Sequence, residues 1–163
     1  MKNIYARWLE VASLNQKAIA FLLITTITVW GIGLGFSTSA LADTERSSAP
    51  DGAEAYIISP AGGAEVASPV TIQFGLSGMG VAPAGIDIKN TGHHHLLIDV
   101  ADQPDLDQPL PATNNIKHFG AGQTETAISL DAGSHTLQLL LGNYAHIPHD
   151  KPVTSEPITI TVK

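Results

Sequence analysis

Apolar and polar residues alternate in short stretches along most of the chain, and this period of two constrains the fold more than any other feature. Val70, Ile72 and Phe74 alternate with Thr71 and Gln73, as expected of a strand with one buried face. Other stretches repeat the pattern and are rich in β-branched residues, and none keeps a helical spacing. The alternation predicts strands near residues 55–59, 69–76, 93–100, 123–130, 134–142 and 156–163.

Six or seven short strands separated by turn residues are typical of an immunoglobulin-like β-sandwich with Greek-key connections. In that convention the predicted strands are A, B, C, E, F and G. The acidic stretch 101–122 is long enough to hold a further short strand, and loops of this length are usually functional or partly ordered. The sequence therefore predicts an all-β domain whose core contains Val70, Ile72, Phe74, Leu96, Ile98, Leu137, Leu139, Ile158 and Ile160.

The N-terminal residues have the order of a secretory signal peptide. Basic residues precede an apolar run from Ala18 to Phe36, and the small-residue site Ala40-Leu41-Ala42 follows. An uncleaved membrane anchor is the alternative, because the apolar run is at the short end of what spans a bilayer. We expect a periplasmic or secreted protein with a signal peptide at 1–42, a disordered linker at 43–54 and the sandwich domain at 55–163.

Charge and composition exclude several classes of function. Residues 43–163 carry five Lys or Arg and fourteen Asp or Glu, a formal charge of −9, so they would repel nucleic acid and anionic lipid surfaces. Any membrane contact is expected only through the leader. The chain has no Cys, which excludes disulfides, thiolate zinc sites and blue-copper sites.

Catalytic and cofactor motifs are missing from the sequence. It contains no Gly-x-Ser-x-Gly, no phosphate-binding loop and no dinucleotide fingerprint. Ser134 and His135 are neighbours in a predicted strand and so face opposite ways, which disqualifies them as nucleophile and base. We expect no organic cofactor and a protein that is not an enzyme.

The histidines are the most informative residues, and all of them follow the predicted cleavage site. In an immunoglobulin-like sandwich the B–C loop, the F–G loop and the start of strand E share one pole. Six of the seven histidines are expected at that pole, and His135 at the other. The seven are His93, His94, His95, His118, His135, His146 and His149.

Strand alternation separates the three consecutive histidines. His94 shares its face with Leu96 and is expected to point toward the core, whereas His93 and His95 stand on the outer face. Converging neutral imidazoles are typical ligands of Cu(II), Zn(II) or Ni(II), and copper is favoured by ligand type and by export. The predicted metal ligands are His93, His95, His118, His146 and His149, with Glu125 or Asp150 as possible carboxylate partners.

Three structural interpretations remain open beside the metal site. His94 is expected to be a buried histidine with a backbone hydrogen bond, and His135 a residue that closes a turn. The histidine cluster would also be a pH-responsive surface if its rings charge together near pH 6.

Three motifs resemble one known family. GHHHLLID at 92–99, HFGAGQTET at 118–126 and HIPH at 146–149 are similar to motifs of the exported bacterial family called domain of unknown function 4399. Ala121 stands where the family has a further glycine. The resemblance covers roughly residues 72–162, and it implies an extracytoplasmic single-domain protein in which the same histidine positions matter.

Two functions are consistent with these observations. The first is an exported, non-catalytic carrier or accessory protein that binds a metal, Cu(II) or Zn(II), through the histidine cluster and delivers it to another exported protein. The second is a module that binds a protein or glycan, with the histidines forming a hydrogen-bonded network.

Overall fold

The structure is a computed structural model that describes residues 46–163, and the predicted signal peptide at 1–42 lies outside the described residues. Within 46–163 the chain forms no helix, so none is present there that could cross a membrane. The strands are β1 (Glu54–Ser59), β2 (Glu65–Val66), β3 (Val70–Ser77), β4 (Gly80–Val81), β5 (Thr91–Ile98), β6 (Ile116–His118), β7 (Glu125–Ile128), β8 (Gly133–Gly142) and β9 (Ile158–Val162).

The strands form two sheets in the order of an immunoglobulin-like sandwich. One sheet has the order β1-β3-β7, and the other has the order β2-β9-β8-β5-β4, with β6 paired to β5. Predicted strands A, B and E therefore share one sheet, and C, F and G share the other, as in immunoglobulin domains. The all-β prediction is confirmed.

Strand limits differ from the prediction in small ways that matter for the site. Strand β5 begins at Thr91, so the three consecutive histidines lie inside the strand rather than at its start. Strand β6 lies within 101–122, where the sequence allows an extra strand. The two-residue strands β2 and β4 were not predicted, because two residues are too few to show a period.

The main core lies between the two sheets. Eight of the nine predicted core residues are buried there, and Ile158, the first residue of β9, is partly buried and packs against them. Inward-facing positions of β3, β5 and β8 alternate as the sequence predicts. The residues between them in these strands therefore point to the outer face of their sheet.

Strand β5 is buried on both faces, unlike an ordinary sandwich strand. On its outer face Leu97 packs with Leu140 of β8, and Leu110 and Ile116 of the segment that follows β5 cover them. This second apolar cluster explains why β5 reads GHHHLLID instead of alternating with charged residues. The sequence predicted that His93 and His95 lie on the outer face of the sheet. It did not predict that apolar residues cover another part of that face.

The described part of the expected linker is held on the domain. Arg46 donates from Nε to the Pro148 carbonyl at 3.1 Å, and the Asp150 amide donates to the Ser47 carbonyl at 3.0 Å. The Ala49 amide donates to Asp150 Oδ1 at 3.0 Å. These residues differ from the disordered linker expected at 43–54, because their partners are about 100 positions away along the chain and a polar composition does not reveal them.

Candidate metal centre

Three histidine side chains converge on the outer face of the six-stranded sheet. The antiparallel pairing of β5 with β6 places His95 opposite His118, and His93 stands two residues before His95 on the same face. One ring nitrogen from each of the three lies within 4.8 Å of the others. This distance is short enough for small ring rotations to bring all three nitrogens onto one ion.

A fourth ring, that of His146, comes from the loop after β8. Asn143 shapes this loop, because its Oδ1 accepts hydrogen bonds from the Ala145 and Ile147 amides at 2.9 and 3.1 Å. His146 takes a left-handed conformation, with φ of 69°, and its carbonyl accepts from the Leu110 amide at 2.9 Å. The centroid of its ring lies 5.0 Å from that of His93.

The remaining histidines lie elsewhere. His149 is buried, and its Nε2 lies 3.3 Å from the Thr91 carbonyl, away from the other rings. The structure therefore brings together four of the five predicted ligands and leaves out His149. His94 points into the core, with its ring 5.3 Å from that of Phe74, as the alternation predicts. The backbone hydrogen bond expected for it is wrong, because neither of its ring nitrogens has a hydrogen-bond partner.

His135 is a structural residue at the opposite end of β5. Its Nδ1 lies 2.7 Å from Asp99 Oδ2 and its Nε2 lies 2.9 Å from the Asp131 carbonyl. The hydrogen bond to Asp99 raises its pKa. His135 therefore closes a turn, as expected.

Two glycines make room for the rings. A Cβ added at Gly142 would lie 2.8 Å from His95 Cε1, and one added at Gly120 would lie 2.4 Å from His118 Nε2. Real Cβ atoms do not approach other heavy atoms so closely, so any larger residue would displace a ring. Gly142 is the last residue of β8, and a glycine in a strand often marks a close approach of other groups, so this signal was readable in the sequence.

The two innermost histidines have no hydrogen-bond partner. His93 and His95 are fully buried, and none of their four ring nitrogens makes a hydrogen bond of normal geometry with a protein group. An unsatisfied buried polar group costs about 1–3 kcal/mol. A cation that accepts the one lone pair of each neutral ring would offset part of this cost.

Burial keeps these rings in the form that binds metals. Burial, with a smaller contribution from the neighbouring histidine rings, lowers the pKa of His93 to about 4 and that of His95 to about 3. Burial also lowers the pKa of His118. Because metals bind the neutral imidazole, protons compete only weakly for the site near neutral pH.

The cluster reaches the surface on one side. His118 is exposed and His146 is partly buried, whereas His93 and His95 lie beneath them. An ion could thus enter or leave past His118 and His146. The gradient of burial gives the site a closed inner half and an open outer half.

The carboxylates considered as partners are engaged elsewhere. Glu125 accepts a hydrogen bond from Gln73 Nε2 at 2.7 Å on the other sheet, and Asp150 accepts from the Ala49 amide. Among the described residues, the group with metal-binding geometry contains histidines only. The chemistry of the site is therefore that of neutral nitrogen ligands.

Sequence reasoning missed the residues that hold the histidine loop. Arg46 donates to the carbonyls of Pro148 and His149 and forms an ion pair with Asp107 at 2.9 Å. Ser47 Oγ accepts from Asn143 Nδ2 at 3.1 Å. No local pattern marks these contacts, since each joins segments distant in sequence.

Comparison with known proteins identifies a family and nothing further. A family model described as "Domain of unknown function (DUF4399)" matches residues 72–163. This stretch contains every histidine of the cluster. No curated protein and no solved structure matches the chain.

Proposed function

Since the chain belongs to the DUF4399 family, whose description assigns no activity, we propose a function from the site itself: the domain binds one divalent transition-metal ion through His93, His95 and His118. It acts as a carrier or accessory protein outside the cytoplasm rather than as a catalyst. The leader-like N-terminal sequence supports the location.

One observation carries the proposal. His93 and His95 are fully buried with all four ring nitrogens unpaired, and a nitrogen of each lies within 4.8 Å of one on His118. Buried polar groups in proteins almost always have a partner, which is a protein group, a water or an ion. The ring of His94 is unpaired too, but it faces Phe74 in the core, whereas the rings of His93 and His95 face a third histidine. Imidazole nitrogens suit zinc, copper and nickel, so the natural ligand is one of these ions.

The open outer half of the cluster supports a carrier. A permanently held structural ion needs no route to solvent, whereas a carried ion must be received and released. His118 is exposed, so an acceptor protein could compete for the ion from that side. The absence of nucleophile and cofactor motifs in the sequence supports the non-catalytic role.

An interaction module remains the second candidate, and a surface feature favours it. Ile86 and Tyr144 are exposed apolar residues on two loops joined by the Gly85 amide and the Tyr144 carbonyl at 2.9 Å. However, a hydrogen-bonded histidine network would pair the nitrogens of His93 and His95, and these nitrogens are unpaired. Metal binding accounts for them better.

The test is metal content and affinity of the purified protein. Elemental analysis and titration with Cu(II) and Zn(II) should give one ion per chain, and His118→Ala should weaken binding at least 10- to 100-fold. His118 is exposed, so this variant should fold normally. His135→Gln is the matched control and should bind like the wild type. Failure of the wild type to bind either ion would refute the proposal.

A further inference from the structure

The four histidine rings are almost equally spaced. Five of the six distances between ring centroids fall within a narrow range, and one is longer. They are 4.8 Å for His93–His95, 5.0 Å for His93–His118, 5.0 Å for His93–His146, 5.2 Å for His95–His118, 4.7 Å for His118–His146 and 6.1 Å for His95–His146.

This spacing can be compared with that of ideal four-imidazole sites. With a metal–nitrogen distance of about 2.05 Å, each centroid lies about 3.2 Å from the ion, and tetrahedral ligands have centroids about 5.2 Å apart. A square-planar site has four separations of about 4.5 Å and two opposite separations of about 6.4 Å.

The observed distances fit the tetrahedron and not the square. In a square, the longest distance must be matched by an equally long distance between the other two rings. Here the 6.1 Å separation of His95 and His146 is matched by only 5.0 Å between His93 and His118. We propose that His146 completes a tetrahedral four-histidine site and that the site is built for Zn(II) rather than Cu(II).

The fold explains why the geometry is tetrahedral. Three of the rings rise from one sheet face, where the β5–β6 pairing fixes their bases. The fourth comes from the loop that follows β8 and returns beside Gly142, whose added Cβ would lie 3.3 Å from the His146 carbonyl carbon. Three ligands on a surface and one from a loop over it form a pyramid, and strands resist the flattening that a square would require.

Binding requires ring rotation more than backbone movement. Nitrogens of three rings lie within 4.8 Å of one another, and a tetrahedral zinc site needs about 3.3 Å between them. His146 lies outside this group, and only its ring centroid has suitable spacing. Rotation about the bond that joins each ring to its Cβ must therefore turn the nitrogens of all four rings inward.

The ligand types support zinc as well. Soft thiolate or thioether ligands, which select Cu(I), are not part of the histidine group, and oxygen ligands, which suit calcium and magnesium, are not part of it either. Zn(II) has no electronic preference against a tetrahedron, whereas Cu(II) prefers tetragonal sites. The residue types alone favoured copper, and the spacing of the rings reverses that preference.

A fourth protein ligand also limits what the bound ion can do. Catalytic zinc sites keep one position open for water, and a site with four histidines has none. The inference rests on the proposed metal-binding function and narrows it to reversible zinc binding without hydrolysis.

Cobalt substitution of the purified full chain tests the coordination number. Co(II) adopts the geometry that a zinc site imposes, and tetrahedral Co(II) absorbs visible light far more strongly than six-coordinate Co(II). The wild type should show intense bands, and in His146→Ala a water oxygen should replace one nitrogen ligand, so the bands should shift in wavelength and change in intensity while the site stays four-coordinate. Tyr144→Ala, on the same loop but exposed, should resemble the wild type.

Competition between Zn(II) and Cu(II) tests selectivity. Cu(II) normally outcompetes Zn(II) in unconstrained nitrogen sites, so His146→Ala should shift the ratio of bound metals toward copper at least 10-fold relative to the wild type. Stoichiometric Co(II) binding with weak bands in the wild type would overturn the tetrahedral site and leave the proposed function standing. An unchanged ratio in His146→Ala would overturn the zinc assignment. No metal binding at all would refute both proposals.

Discussion

Replacing Gly120 with alanine should remove one metal ligand without unfolding the domain. The added Cβ would lie 2.3 Å from His118 Cε1 and 2.4 Å from His118 Nε2, where ordinary contacts begin near 3.4 Å. The ring must therefore move by about 1 Å. Metal–nitrogen bonds tolerate deviations of only about 0.2 Å, so a ring that the added Cβ holds about 1 Å outward cannot complete the rotation that ligation requires.

The expected loss of affinity is large and the loss of stability small. Disturbing the groups that orient a ligand typically costs 10- to 100-fold in metal affinity, which equals about 1.4–2.7 kcal/mol, and losing the ligand costs at least that much. His118 is exposed and free to swing outward. Alanine is conformationally allowed at Gly120, and the tightest other contact is Ala84 Cβ at 3.2 Å, so only slight destabilisation is expected.

The assay pairs Zn(II) titration with thermal unfolding of the metal-free protein. Gly62→Ala is the matched control, because its Cβ would meet only Ile158, at an ordinary 3.7 Å. Both variants should unfold near the wild-type temperature, and only Gly120→Ala should lose affinity. Wild-type zinc affinity in Gly120→Ala would refute the assignment of His118 as a ligand.

Three further predictions concern stability. His94→Leu should stabilise the metal-free protein by about 1–3 kcal/mol in denaturant unfolding, because the buried ring lacks hydrogen bonds. Its zinc affinity should not change, because the ring faces the core. A destabilised variant would contradict this prediction. Burial lowers the pKa of His93 and His94 to about 4 from an ordinary 6.5. As pH falls, these histidines therefore take up protons in the unfolded chain before they do so in the folded protein. The metal-free protein should lose roughly 1.4 kcal/mol per pH unit for each such histidine as pH falls from 6.5 toward 4, and a flat pH profile would be inconsistent with buried neutral rings. Asp99 raises the pKa of His135, so this pair stabilises the fold fully below pH 6.5, while Asp99 is ionised, and the contribution fades as pH rises through the raised pKa. Asp99→Asn should therefore destabilise the protein more at pH 6 than at pH 9, and equal losses at both would exclude the ion pair.

The sequence predicted the features that follow from strand periodicity. Alternation assigned His94 to the core and His93 and His95 to the outer face, and the sandwich topology brought His118 and His146 to the same end. These predictions succeed because side-chain direction in a strand is a local property and strand order is limited to few arrangements.

The sequence could not predict what covers that face. Leu110, which belongs to the apolar cluster around Leu97 and Leu140, lies in a segment without any period, so its packing on the outer face cannot be read from the sequence. His146 rather than His149 joins the cluster because Asn143 accepts hydrogen bonds from the loop and because His146 itself has a left-handed backbone conformation. Such details are set by tertiary contacts that leave no repeating pattern in the chain.

The pairing of β1 with β3 bears on how relatives of this protein should be produced. The family match begins at residue 72, inside β3, yet β1 is hydrogen-bonded along β3 and its Ala55 is completely buried. A fragment cut at the start of the match would strip a strand from one sheet and also lose Arg46, which holds the loop near His146. The unit that folds is longer than the unit that sequence comparison recognises, and recombinant relatives should begin at least 26 residues upstream, at the equivalent of Arg46.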